Sequence, residues 1–232
     1  MRYPRFCIIP SNGRTVLNQA IAAIKPQVDH VIIIWNRGGG LNYPPYMFRT
    51  DANEELLQGV HFIEVKETEE PNISRWWNYG LRWADGAVGL RSDRVWDKWD
   101  VAVLNDDAIV PEGWFDAVSG AMRQMGIAAG CSGGYGLPVL HTQNAAPPLA
   151  TRMQGFAFIL AGERGLRADE QFVWYCGDDD LGRRAAMAGG MVMVPGFHVN
   201  HLHPNGQVNE ALAAAIPGDM QRYVDKWNGR PW

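Results

Sequence analysis

The sequence has few cysteines, three in 232 residues. Cys7, Cys131 and Cys176 are odd in number and far apart, so they argue against a disulfide framework and predict a reducing, cytoplasmic environment. The first residues lack the apolar segment of a signal peptide. No apolar run approaches the roughly 18 residues that a membrane span needs. We therefore expect a soluble, cytoplasmic protein without a membrane span.

An excess of positive charge is also absent. The chain has 21 Lys and Arg against 25 Asp and Glu, which gives a formal net charge of −4. Proteins that neutralise many phosphates are usually basic. Bulk charge therefore does not favour nucleic acid as a partner, although it does not exclude one.

Several nucleotide and metal motifs are missing too. No GxGxxG sequence follows the first apolar run, and no Walker sequence occurs. The histidines His198, His201 and His203 have neither an HExxH pattern nor a cysteine pair beside them. The sequence thus gives no support to a Rossmann dinucleotide site or a P-loop enzyme, and only weak support to a zinc site.

The first half of the chain contains an alternation of apolar runs and helical patterns. Runs bounded by turn residues predict strands, and apolar residues at helical spacing predict helices. The predicted strands are 5–10, 30–36, 60–66 and 99–107, and the predicted helices are 15–24, 74–84 and 113–125. Ser11 or Asn12 is expected to cap the first helix. This order predicts an α/β fold with a mostly parallel central sheet flanked by helices, and ligands at the carboxyl ends of its strands.

The second half is less regular. Residues 133–151 are rich in Gly, Pro, Asn and Ala, which predicts a loop or crossover. The other predicted elements are strands at 153–162 and 191–196, a helix at 181–190, and a helical tail at 207–232 with a break at Pro217. No internal repeat or linker is evident, so we expect one domain. Most of the ten tryptophans are expected in the core, with a minority free to stack on sugar or base faces.

Three consecutive acids follow an aromatic run in the second half: Asp178, Asp179 and Asp180. The N-terminus of a helix explains one or two acids at such a place. Three are harder to explain, because each carboxylate raises the cost of ionising its neighbours. The resulting pKa shifts are useful in a general base, so the triplet is a candidate catalytic site.

A second polar stretch, Asn105-Asp106-Asp107, ends the fourth predicted strand. Oxygen ligands at this edge of the sheet suit Mg(II) or Mn(II) carrying a diphosphate, whereas the competing interpretation is a simple turn. His201 and His203 follow the strand at 191–196 and are candidates for one further metal ligand.

Taken in order, these segments resemble the inverting glycosyltransferases of family 2, which have the GT-A fold. The segments that carry the resemblance are IIPSNGR, VIIIWNRGG, NISRWWNYG, LNDDAIV and GLRADEQFVWYCGDDDLGRRAAMAGG. The resemblance covers roughly residues 5–206, and the order of the segments together with the last motif is its specific part. Asn105 replaces the first acid of the metal motif, as in the rhamnosyltransferase-like branch. Small stand-alone enzymes of this type are also encoded by bacteriophages.

The resemblance implies a single GT-A domain over residues 1–232. Its nucleotide-sugar-binding half would cover about 1–107, its acceptor and catalytic half about 108–206, and a helical tail 207–232. The implied function is a metal-dependent inverting glycosyltransferase that moves a sugar from a nucleotide-diphosphate sugar to an acceptor hydroxyl. The acceptor would be a glycan, a protein or a modified nucleobase in DNA.

The resemblance also implies roles for single residues. Asp178 would be the catalytic base, with Asp179 as the alternative, because Gly177 replaces the Glu that fixes the register of the family motif. Asp107 would be the main ligand of Mn(II) or Mg(II).

Either His201 or His203 would assist Asp107 at the metal. Asp180 and Arg184 would pair to support the loop. The implied donor-binding residues are Pro10, Ser11, Asn12, Arg14, Asn36, Asn72, Arg75, Asn78, Asn105 and Asp106.

Taken alone, the segment with Asn72, Arg75 and Asn78 predicts helix capping beside core tryptophans.

Three other classes of protein stay open. A nucleotidyltransferase of related fold would usually have a Gly-rich, cationic N-terminal loop, of which IIPSNGR is a poor version. A metal-dependent hydrolase would not need this N-terminal turn, and a non-catalytic sugar-binding module would not need three clustered acids.

Overall fold

The protein is represented by a computed structural model. The structure describes residues 3–13, 16–36, 58–65, 70–89, 97–133, 136–203 and 210–229. The strands in these ranges are β1 Arg5–Ser11, β2 His30–Asn36, β3 Val60–Val65, β4 Asp100–Leu104, β5 Ala108–Ile109, β6 Ala129–Ser132, β7 Val139–His141, β8 Ala157–Ala161, β9 Met191–Val194 and β10 Asn200–His201. The predicted loop at 37–46 lies outside the described residues.

Helices connect most of these strands. The α-helices of the described ranges are α1 Leu17–Ile24, α2 Ile73–Gly89, α3 Trp114–Met125, α4 Gly177–Met187 and α5 Glu210–Trp227. Short 3-10 helices occur at Lys25–Gln27, Leu149–Thr151 and Gly162–Arg164. Within the part of the chain that is described, no helix has the length and apolar character needed to cross a bilayer.

Eight strands form one central sheet in the order β3-β2-β1-β4-β8-β6-β9-β7. The pairs among β1 to β4 are parallel, as predicted for the first half of the chain. β8 is antiparallel to β4 and β6, β7 is antiparallel to β9, and β6 is parallel to β9. Because β8 runs the opposite way to β4, the start of β8 lies at the same edge of the sheet as the end of β4.

Helices cover both faces of this sheet. Along β1, Cys7 and Ile9 belong to the core that contains α1 and α3, whereas Phe6 and Ile8 belong to the core that contains α2 and α4. This alternation follows from the two-residue period of a strand. The fold is therefore the predicted α/β class, with a large central sheet between two layers of helices.

Helix α2 approaches the sheet closely at Gly80. A Cβ atom at this position would lie 2.6 Å from the side chain of Ile8. Glycine inside a helix costs roughly 0.5–1 kcal/mol relative to alanine, so close packing is the reason for its presence here. Trp76 and Trp77 of the same helix are buried, as the core interpretation of the tryptophans predicted.

The predicted cap of α1 is wrong. The N-cap residue is Val16, and no side chain makes a capping hydrogen bond. Ser11 Oγ instead donates to Asp106 Oδ2 at 2.8 Å and accepts from the N–H of Gly13 at 3.0 Å. Gly13 has a φ of +88°, and the ring of Trp35 fills the place of a Cβ atom there. The chain therefore turns back toward Asp106 before the helix begins.

Two helix boundaries in the second half also differ from the prediction. α4 begins at Gly177 rather than at residue 181, so its first turn contains the three aspartates. α5 continues through Pro217, where a break was predicted. A proline removes one backbone N–H from the helix. Contacts beyond it hold the helix together, since Asp219 and Tyr223 are fully buried.

Candidate active site

A cleft of about 360 Å³ lies at the edge of the sheet where β4 ends and β8 begins. Its lining comes from the first turns of α2, the residue after β4, the segment 152–156 before β8, the region 174–179 at the start of α4, and residues 201 and 203 at the end of β10 and just beyond it. These segments are far apart in sequence. The sheet topology brings them together at the edge where the sequence predicted ligand binding.

Asp178 forms part of one wall of the cleft. Its Oδ2 accepts a hydrogen bond from the N–H of Gly155 at 3.0 Å. A Cβ atom at Gly155 would lie 2.5 Å from the same oxygen, so only glycine allows this approach. The backbone before β8 thereby fixes the orientation of the Asp178 carboxylate.

Asp179 lies beside it and is 5% exposed. Its two oxygens each lie 3.2 Å from Nη1 of Arg152, which also lines the cleft. Burial raises the pKa of Asp178 against the opposing effect of Arg152 and of backbone N–H groups. Burial and the neighbouring Asp178 raise the pKa of Asp179 to about 8. The two carboxyl groups therefore titrate as a pair that retains a proton in a range where an isolated carboxyl group has lost it.

Asp180 has a different role from its two neighbours. It is fully buried, and Arg184 Nε donates to its Oδ2 at 2.8 Å, which is the predicted pair. Its other oxygen, Oδ1, accepts from Trp227 Nε1 at 2.9 Å and lies 2.7 Å from Lys226 Nζ. The third acid therefore anchors α4 to α5.

Gly177, which stands where the motif of the resembled family has a glutamate, lies close to α2. A Cβ atom at this position would lie 2.8 Å from Ser74 Oγ, on the neighbouring helix α2. Ser74 is itself fully buried. A side chain at position 177 would therefore require Ser74 Oγ or α2 to move.

Asp107 and the histidines form a second group of polar side chains. β5 and β10 pair in antiparallel fashion, and the N–H of Leu202 donates to Asp107 O at 3.0 Å. His201 Nε2 consequently lies 3.2 Å from Asp107 Oδ1, and His203 Nδ1 lies 3.8 Å from Asp107 Oδ2. The structure thus brings together the three residues that were predicted as metal ligands.

Asn105 and Phe156 fix the ring of His201. Asn105 Nδ2 lies 3.4 Å from His201 Nε2, and the Phe156 ring stacks on the imidazole with ring centroids 4.6 Å apart. Asn105, His201 and His203 line the same cleft as Asp178 and Asp179. The cleft therefore has a pair of acids and two imidazole rings in its walls.

The residues of this second group fit a divalent cation that has few protein ligands. Across the described ranges, no three His, Cys, Asp or Glu side chains are grouped closely enough to hold a metal ion by themselves. One carboxylate with one or two additional ligands is instead the pattern of a Mg(II) or Mn(II) site completed by substrate phosphates and water. Asp107 supplies that carboxylate.

The first predicted donor-binding residues lie next to this group. Pro10 and Ser11 end β1, and Asn12 follows them. Ser11 is held to Asp106, so the end of β1 and the turn after β4 are joined. Arg14 and the side chain of Asn36 lie outside the described residues.

Among the predicted donor-binding residues that the structure describes, Asn105 alone lines the cleft, and Asn72, Arg75 and Asn78 make other contacts. Asn72 caps α2 by accepting from the N–H of Arg75 at 2.8 Å. Asn78 makes hydrogen bonds with both the N–H and the C=O of Ala168, and Arg75 Nε lies 3.3 Å from Glu170 Oε2. These contacts agree with the capping and structural interpretation, whereas contact with a donor stays a prediction.

The sequence did not indicate several residues that line the cleft, among them Arg152, Gly155, Trp174 and Tyr175. Arg152 and Gly155 precede β8, and their position at the ligand edge depends on the antiparallel direction of that strand. The sequence pattern favoured parallel strands and gave no sign of this reversal. Trp174 and Tyr175 belong to the aromatic run before the acid triplet, where no sequence pattern distinguishes a cleft residue from a core residue.

Known structures with the same fold include several of TarS from S. aureus. The structure of TarS 1-349 matches with a TM-score of 0.57 and 11% identity, over 96% of this chain and 72% of TarS 1-349. TarS 1-349 in complex with UDP-GlcNAc matches with a TM-score of 0.55 and 10% identity, over 96% of this chain and 67% of the other. The complex of TarS 1-349 with UDP gives a TM-score of 0.53 and 11% identity, over 96% and 72% of the two chains.

No protein-family model and no curated protein matches the sequence. At about one identical residue in ten, the likeness to TarS establishes the fold. The chain has a GT-A-like α/β fold, the class that the sequence predicted.

Proposed function

We propose that this chain is a metal-dependent inverting glycosyltransferase that moves a sugar from a nucleotide-diphosphate sugar to an acceptor hydroxyl. The observation that carries the proposal is the cleft itself. An acid pair with raised pKa lies in one wall, and the Asp107 and histidine group lies beside another. The TarS structures with UDP-GlcNAc and with UDP, which share this fold, support a nucleotide sugar as the donor.

Asp178 is the better candidate for the base. Asp178 is a half-buried residue of the cleft lining whose carboxylate is held by the N–H of Gly155, whereas Asp179 is buried against Arg152. A general base must be able to reach the proton that it removes. Arg152 opposes the rise in the pKa of Asp178, and Asp179 titrates together with Asp178.

The proposed reaction is a single displacement. A lone pair of the acceptor oxygen forms the new bond to the anomeric carbon, and the hydroxyl proton passes to Asp178. The bond from the anomeric carbon to the diphosphate oxygen breaks, and its electron pair leaves on that oxygen. The products are a glycoside of inverted configuration and a nucleoside diphosphate.

Asp107, with His201 or His203, is the proposed holder of Mn(II) or Mg(II). When bound there, the cation would supply positive charge for the diphosphate that leaves. Asn105 and Phe156 hold the His201 ring beside Asp107, which supports this role. The end of β1 at Pro10, Ser11 and Asn12 would contact the nucleotide.

A thermal-shift screen tests the proposal. We expect a UDP, GDP, CDP or dTDP sugar to raise the melting temperature, and Mn(II) to increase the effect. The preferred nucleotide would then be tested for release of nucleoside diphosphate. Binding of free sugar without nucleotide would instead favour the non-catalytic sugar-binding module, and transfer of a nucleotidyl group would favour the nucleotidyltransferase. No stabilisation by any of the four classes would contradict the proposal.

Finer features of the proposal rest on the sequence resemblance alone. They are the rhamnosyltransferase-like branch and a bacteriophage origin, whereas a cytoplasmic location rests on the number and spacing of the cysteines. Product analysis by NMR tests the stereochemistry, since retention at the anomeric carbon would contradict an inverting mechanism.

A further inference from the structure

The aromatic run before α4 forms part of the cleft wall. Phe172 and Cys176 are buried, whereas Trp174 and Tyr175 are partly exposed and line the cleft. Cys176 has a φ of +58°, which is uncommon for a residue with a side chain. Strained backbone of this kind persists where the surrounding structure enforces it, and it is concentrated at functional sites.

Asp219 of α5 enforces the shape of this run. Its carboxylate accepts from the backbone N–H groups of Val173, Trp174 and Tyr175 at 3.1, 2.8 and 2.9 Å. Arg222 donates to it at 2.9 Å, and Asp219 is fully buried. One carboxylate from a distant helix thus binds three consecutive backbone donors. The two aromatic residues are therefore held in place before any substrate binds.

The same helix also holds the start of α4. Trp227 and Lys226 bind Asp180, two residues after Asp178. Trp227 further packs under the guanidinium of Arg183 at 4.4 Å. α5 therefore fixes the aromatic pair and the acid pair relative to each other.

The character of the cleft favours a neutral sugar over a polyanion. Aromatic rings in its walls, including Trp77, Trp174 and Tyr175, offer flat apolar faces of the kind on which the C–H face of a pyranose packs. Among the described lining residues Arg152 is the one lysine or arginine, and Asp179 pairs with it. Nucleic-acid sites need several cations for the phosphates.

We propose that the acceptor is a neutral oligosaccharide whose terminal ring packs on Trp174 and Tyr175 beside Asp178, and that Asp219 is the positioning residue of this subsite. The inference rests on the proposed transferase function and adds the class of its acceptor.

Saturation-transfer NMR tests the subsite directly. The probes are maltose, cellobiose, chitobiose and lactose, each with the protein, Mn(II) and the nucleoside diphosphate selected by the thermal-shift screen. We expect at least one disaccharide to bind and to become a product when the matching donor is added. Trp174→Ala should weaken its binding at least tenfold, whereas Trp83→Ala, a tryptophan of α2 that packs against His61, should leave it unchanged.

Two comparison probes identify the competing acceptors. They are a DNA oligonucleotide with 5-hydroxymethylcytosine and a peptide with serine and threonine. Transfer to either of them but to no disaccharide overturns the inference, as does disaccharide binding that Trp174→Ala leaves intact. Donor binding without any disaccharide binding overturns the inference but leaves the transferase function standing. Failure of donor binding in the wild type removes the function and the inference with it.

The positioning role of Asp219 has its own measurement. Asp219→Asn keeps the shape of the side chain but offers one acceptor oxygen and a donor group to three N–H groups. We expect the KM for the disaccharide to rise about tenfold, with the donor-induced thermal shift unchanged. Asp225→Asn, an exposed acid of the same helix bound by Gln221, is the matched control and should change neither. Equal loss of donor and acceptor binding would mean that Asp219 acts only through overall stability.

Discussion

The two acidic clusters of the chain differ in how their carboxylates are neutralised. After β4, Asp106 accepts from a serine hydroxyl, and Asp107 lies against two imidazoles. At the start of α4, Asp180 has arginine, lysine and indole partners, whereas Asp178 accepts from the N–H of Gly155 and Asp179 pairs with Arg152. Each cluster thus contains one acid that holds the fold together, Asp106 or Asp180. Asp178 and Asp179 line the cleft, whereas Asp107 is fully buried behind His201 and His203, which line it. The partners of an acid, more than its position in a motif, decide which role it can have.

Among substitutions in the two acidic clusters, removal of the proposed base should lower turnover the most. Asp178→Asn keeps the shape of the side chain, but the amide cannot take the proton from the hydroxyl of the acceptor. We expect turnover to fall by roughly 10²–10⁴, the usual contribution of general-base catalysis. Donor binding, measured by thermal shift, should persist. Asp179→Asn is the matched variant, and a greater loss of turnover there than in Asp178→Asn would exchange the two roles.

Displacement of the base without removal of its charge is the next test. Gly155→Ala would place a methyl group 2.5 Å from Asp178 Oδ2, so the carboxylate must move. A displacement of about 1 Å in a catalytic group can cost on the order of 10²-fold in rate. We expect that loss in kcat, with donor affinity retained. Gly120→Ala, in an exposed part of α3 with open space around it, is the control. Equal activity of the two variants would contradict the role of Gly155.

The other cluster should respond through the metal. Asp107→Ala removes the carboxylate that the metal site requires, so Mn(II) should no longer strengthen donor binding. We expect donor affinity in the presence of Mn(II) to fall about tenfold. Asp106→Asn should leave the Mn(II) effect in place and lower the melting temperature, because it weakens the bond to Ser11. An unchanged Mn(II) effect in Asp107→Ala would exclude that residue from the site.

The smallest expected effect is a change in the pH dependence of stability. The pKa of Asp179 is raised from 3.8 to about 8 in the folded protein. Between these values the folded chain keeps a proton that the unfolded chain releases, so stability falls as pH rises from about 4 to about 8. Asp179→Asn should make this fall shallower, by a few degrees in the melting temperature. Parallel melting curves for both proteins across that pH range would contradict the raised pKa.

The sequence was sufficient for the half of the fold in which local patterns match the topology. β1 to β4 and their helices follow from apolar runs with turns between them, and α1 from apolar residues at helical spacing. The acid triplet could be predicted as a candidate because a helix N-terminus explains only one or two of its three acids. Asp107 and its histidines were candidates from their place after predicted strands and from the family resemblance. The division into halves near residue 107 stays a prediction.

Long-range contacts decided the features that the sequence did not reveal. The direction of β8 places Arg152 and Gly155 in the cleft, and no local pattern encodes it. The four-residue strand β6 contains Gly130, which weakens the signal of a strand. α5 continues past Pro217 because Asp219 and Tyr223 are buried against a loop more than forty residues earlier in the chain. Propensity alone cannot include such contacts.

The close contact of Gly177 with Ser74 couples two distant positions of the chain. The size of the residue at one position limits the size of the residue at the other, although they are about a hundred positions apart in the chain. A glutamate could enter at 177 only after position 74 became smaller or α2 moved away. Substitutions at the two positions should therefore not be additive in their effect on stability.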